Sequence, residues 1–146
     1  RAVGLAIGVP VVGVTTLSAL MAPVIAGPRS RILVAAIDAR GGRVYVQAIG
    51  PNGRAIIQPS ILSVRDIVRA LGSAGILLVG PAAPAIASEA WAVGLDVRVH
   101  DASPFPDIGW VARLGAAAQP GQALPKPLYL APPDAHPQDG ARLPRA

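Results

Sequence analysis

The sequence predicts an α/β fold on one mixed sheet, antiparallel in its first half, with the order βββαβαβα from Ile32 onward. Three observations predict it. The runs Ile32 to Asp38, Arg43 to Ile49 and Arg54 to Gln58 are rich in strand formers and joined by Gly41-Gly42 and Pro51-Asn52-Gly53. Links that short allow only hairpins, so the three runs form an antiparallel meander. Helical periodicity and short apolar runs then alternate, the signature of strand–helix units. Finally, 52% of the 146 residues are hydrophobic and 14% charged, which suits a packed core and not a disordered chain. With 3% aromatic residues, that core is filled by Ala, Val, Ile and Leu.

Between Arg1 and Arg29 the sequence carries no charge. A membrane-spanning helix or signal peptide is one reading of such a stretch. Pro10 and Pro23 interrupt it, however, and Val11, Val12, Val14, Thr15 and Thr16 favour a strand. The preferred reading is a helix ending at Ile7, a strand over Pro10 to Val14, and a helix from near Thr16 that closes before Pro23. This piece is too short to cover its own apolar faces. The turn-rich Ala26 to Ser30 places a boundary at residue 28.

After the meander, Ser63 caps a helix with Asp66 three residues on, Val64, Ile67, Val68 and Leu71 on one face, and Gly72 as the stop. A buried strand at Ile76 to Val79, a helix over Pro84 to Val93, a strand at Val97 to His100 and a helix over Asp107 to Ala117 complete the lobe, 29–118. Residues 119–146 hold seven of the sixteen prolines and few large apolar residues, which predicts an extended or disordered tail.

Charge and motifs exclude several chemistries. The net charge of +5 comes from twelve Arg and one Lys scattered along the chain, without the stripe and stacking aromatics of a direct nucleic-acid grip. Without Cys there is no disulfide framework and no thiolate chemistry. The eight carboxylates show no metal-ligand spacing, so no metal site and no catalytic residue is assigned. His100 and Asp101 end a strand with no nucleophile or second His nearby, and read as surface residues. Asp38 precedes a tight turn, where it either contacts a partner or orders the hairpin through the turn amides. Gly80, between a strand and a helix, is a weak candidate for a nucleotide cradle, because Pro81 removes one donor from the turn. The tail segment Pro127 to Ala135 either packs back on the body or serves as a partner-binding peptide.

Three segments, in order, carry a resemblance: Leu5 to Leu20 (L-A-I-G-V-P-V-V-G-V-T-T-L-S-A-L), Leu33 to Gln47 (L-V-A-A-I-D-A-R-G-G-R-V-Y-V-Q) and Pro127 to Ala135 (P-L-Y-L-A-P-P-D-A). Together they resemble the later part of the TsaB family of tRNA threonylcarbamoyladenosine biosynthesis proteins, also called YeaZ, within the glycoprotease-like group. Relatives commonly carry G-D-G-A where this chain has Gly80-Pro81-Ala82-Ala83, and an Arg where it has Ala131.

The resemblance implies a ribonuclease-H-like lobe of the actin and hexokinase group, with residues 1–28 a remnant of an amino-terminal lobe. It implies a cytoplasmic, non-catalytic scaffold without a cofactor, supporting TsaD in threonylcarbamoyl transfer to tRNA adenosine. TsaE would join through the complex and tRNA only indirectly, no membrane would be involved, and the chain could pair with itself as a homodimer. Apolar helix faces at Val3, Leu5, Leu17 and Leu20 are the expected partner interface. The competing readings are a degenerate sugar- or acetate-kinase-like phosphotransferase lobe, a glycoprotease-like peptidase, and a membrane-anchored domain using residues 2–28.

Overall fold

A computed structural model describes residues 1–27 and 30–131. Its elements are α1 (Ala2–Ile7), α2 (Thr16–Ile25), β1 (Ile32–Asp38), β2 (Arg43–Ile49), β3 (Ala55–Ser63), α3 (Val64–Leu71), β4 (Ile76–Val79), α4 (Ala83–Ala92), β5 (Val97–Asp101) and α5 (Ile108–Ala117). From β1 onward this is the order expected from the sequence.

The sheet runs β3-β2-β1-β4-β5, antiparallel on the β2 side of β1 and parallel through β4 and β5. Central β1 is buried on both faces, which explains its unbroken apolar run, whereas β2 alternates buried and partly covered residues as a one-sided strand should. On one face Val34, Ala36, Val46, Ile76 and Leu78 pack with Ile67 and Leu71 of α3 and Ile86 and Ala90 of α4. On the other, Leu33, Ala35 and Val79 pack with Leu17, Leu20 and Met21 of α2. The segment before residue 28 thus shares a core with the lobe after it.

Several local expectations need correction. Val11 to Val14 form no strand: no described strand runs beside them, and Gly13 N–H instead donates to the Ala123 carbonyl (2.9 Å). Helix α2 continues through exposed Pro23 to Ile25. The ring removes a helical N–H only in the last turn, so two more residues can follow. Strand β3 is longer than expected and carries Pro59, which an edge strand tolerates because one side of its backbone has no ladder partner.

Helix α3 shows the cap read from the sequence: Asp66 N–H donates to Ser63 Oγ (3.2 Å) and the Ser63 hydroxyl donates to Asp66 Oδ2 (2.6 Å). Residues 119–131 carry no helix or strand and run past Gly13 and the start of α2, in keeping with the extended alternative of the tail expected from Gln119. The same expectation beyond Pro132 lies outside the described residues.

Candidate functional site

In an open α/β sheet, functional groups gather where the strands point their carboxyl ends. Strands β1, β3, β4 and β5 all end on one edge, and α2, α3 and α4 run back from it, so three helix amino ends meet there. Asp38, Gly80 and Asp101 lie on this edge.

The turn at Gly80 is filled by its own structure. Gly80 has φ +97°, and a Cβ there would stand 2.4 Å from the Ala36 carbonyl oxygen. Its N–H donates to the Asp101 carbonyl (2.8 Å), Ala82 N–H to Ala36 (3.2 Å) and Ala83 N–H to Gly80 (3.0 Å), while Pro81 has none. Every amide from residue 80 to 83 is therefore bonded within the protein or absent, and glycine is required for close approach of β4 to β1. This turn offers no free donor to a phosphate.

The hairpin closes by backbone geometry. Ala39 N–H donates to the Arg43 carbonyl (2.9 Å), and Gly41 and Gly42 take φ +72° and +68°. The exposed Asp38 carboxylate makes no hydrogen bond among the described residues, so it does not order the turn as its position suggested. At the end of β5, Asp101 accepts from Ser103 N–H (2.8 Å), while His100 is exposed. Among the described residues no three His, Cys, Asp or Glu side chains gather as metal ligands, and no helix is long and apolar enough to cross a membrane.

The expected interface residues divide. Val3 (73% exposed), Leu5 (87%) and Ile7 (66%) all stand out from α1 as bare apolar side chains. Leu17 (5%) and Leu20 (6%) are a correction: α2 turns them onto the sheet against Leu33, Ala35 and Val79, so they are core and cannot contact a partner. Gly4 is buried, and a Cβ there would lie 2.2 Å from Val11 Cγ2, so glycine is what seats α1 on the following loop.

A cavity of about 540 Å³ lies on the same edge. One wall is the approach and first turn of α2 (Gly13 to Leu17) with Ile37 and Tyr45; the other is the strap of residues 124–130, including Lys126. Gly13 allows the strap to cross, since a Cβ there would sit 2.7 Å from the Leu124 carbonyl oxygen. Sequence reasoning did not find this site. Its one local signal was Lys126, the single lysine of the chain, between Pro125 and Pro127.

At the opposite end of the sheet, Arg31 Nη2 bonds Asp96 Oδ2 (2.5 Å) and Arg31 Nη1 bonds the Asp96 carbonyl (3.3 Å). The hydrogen bond from Arg31 holds the Asp96 carboxyl below the usual aspartate range, helped by the charges of Arg31 and Arg98 and opposed by desolvation.

No protein-family model and no curated protein matches the chain. Solved structures do. A Pseudomonas aeruginosa protein described as uncharacterized with similarity to peptidase YeaZ superposes at TM-score 0.56 and 20% identity over 89% of this chain. The fold is that of the YeaZ structures. YeaZ from Pseudomonas aeruginosa itself gives TM-score 0.54 and 19% identity over 86% of this chain. The chain spans 63% of the length of each. The expected ribonuclease-H-like lobe, with its antiparallel meander and flanking helices, is thus present.

Proposed function

We propose that this chain is part of a YeaZ-type (TsaB) scaffold that supports TsaD in threonylcarbamoyl transfer to tRNA adenosine and has no catalytic activity of its own. The observation that carries the reading is the fold match over 89% of the chain, coinciding with the three sequence segments that resemble the family. Two features support a scaffold over an enzyme. The Gly80 turn, where kinases of this fold present backbone to a nucleotide, has its amides bonded internally. The exposed apolar side chains of α1, Val3, Leu5 and Ile7, suit a protein contact, because side chains of this size favour burial. In this reading α1 meets TsaD, TsaE joins through the complex, and tRNA is engaged only indirectly.

Calorimetry with magnesium and ATP tests the non-catalytic half. The scaffold reading expects no saturable heat in the micromolar range and no phosphate release. Saturable micromolar ATP binding or phosphate release by the chain would favour the phosphotransferase alternative.

A further inference from the structure

We propose that the cavity between the start of α2 and the strap of residues 124–130 binds an amphipathic organic anion: one carboxylate or sulfate on an apolar chain. The inference stands apart from the family reading. The volume, about 540 Å³, is that of a small-molecule site, which ranges over about 300–1,000 Å³. Its lining is mostly aliphatic, with Val14, Leu17, Ile37 and Leu128 among the walls.

Four polar side chains interrupt that lining, Thr15, Thr16, Tyr45 and Lys126, and Thr15 Oγ1 is already bonded to Ser18. Among the described residues the other three, Thr16, Tyr45 and Lys126, make no side-chain hydrogen bond or ion pair, and all three can donate. No carboxylate lines the cavity among the described residues. The charge balance selects the occupant. A cation would meet Lys126 with like charge, and a polyphosphate would bring several charges against aliphatic walls with one ammonium to match them. A single anion on an apolar chain satisfies both parts: the head meets Lys126 and the hydroxyls, and the chain covers aliphatic surface. Leu124 and Leu128, 55% and 56% exposed, are apolar surface that such a chain would remove from water.

Octanoate is the probe, with octan-1-ol as its neutral counterpart, each titrated into the chain and followed by amide chemical shifts. The expected result is saturable octanoate binding with shifts centred on Val14, Leu17, Ile37 and Tyr45. Lys126→Gln, an exposed substitution that leaves the core intact, should weaken octanoate about tenfold, the scale of a charge-assisted hydrogen bond, and change octanol less than about twofold. Absence of saturation below about 10 mM, a weak-binding limit of only a few kcal/mol, would overturn the proposal. So would equal octanoate affinity in Lys126→Gln, or shifts that map away from the cavity.

Discussion

Replacing Gly80 by Ala should be among the most damaging single-methyl additions in this protein. Two costs combine. The residue sits at φ +97°, where an L side chain costs roughly 1–2 kcal/mol, and the new Cβ would stand 2.4 Å from the Ala36 carbonyl oxygen and 3.1 Å from Leu20 Cδ1. Leu20 can rotate away, but the carbonyl belongs to central β1 and accepts the Ala82 N–H, so relief requires moving β4 against β1. Overpacking of this kind adds about 1–3 kcal/mol. The expected total is about 2–5 kcal/mol, or roughly 8–20 °C in Tm for a domain of this size. Gly41→Ala supplies the control: its φ of +72° carries the same backbone cost, yet no atom lies within 4 Å of the new Cβ. Urea denaturation followed by circular dichroism should separate the two variants by about 2 kcal/mol. Equal midpoints would refute the argument that close approach of β1, and not backbone conformation alone, fixes glycine at this turn.

Asp96→Asn should remove stability that depends on pH. Because the folded carboxyl titrates below its unfolded value, the Arg31 pair contributes above the ordinary aspartate pKa and loses that contribution as pH falls through the depressed one. Denaturation from neutral to acid pH should therefore show wild type and variant converging at the acid end; a constant gap would contradict the linkage. Ser63→Ala removes the α3 cap and should cost about 1 kcal/mol in chemical denaturation, with loss of less than a few tenths counting against the cap. Gly13→Ala should lift the strap from the start of α2: hydrogen exchange at residue 13 and across residues 119–126 should speed up, while the global midpoint moves by less than about 1 kcal/mol because the strap buries little.

What the sequence disclosed was mostly local. Ser63 and Asp66, Gly72 and the run Ile76 to Val79 sit where pattern places them, since caps, stops and buried strands are written in adjacent residues. Val11 to Val14 carried the same β-branched signal and form no strand, because strand propensity is realised only beside a partner, and that partner is a matter of topology. Leu17 and Leu20 were legible as apolar helix residues, but not which surface they would meet. Asp38 illustrates the limit for polar groups: position beside a turn suggested a bond that the backbone makes without it. The cavity was illegible for a stronger reason. Its walls come from residues 13–17, 37, 45 and 124–130, which only the packed sheet brings together. The specific lobe type came from resemblance, since periodicity alone reaches no further than a mixed α/β sheet.

The scaffold account is tested most directly by sedimentation velocity with TsaD, using the chain and its Leu5→Asp variant. Leu5 is 87% exposed on α1, so the substitution leaves the core untouched and places a charge on the exposed apolar surface of α1. The account predicts a complex with TsaD that saturates in the micromolar range and weakens at least about tenfold with Leu5→Asp, as expected when a charge is buried unpaired at an interface. Failure of the chain to bind TsaD at any concentration reached, or equal binding by Leu5→Asp, would contradict it.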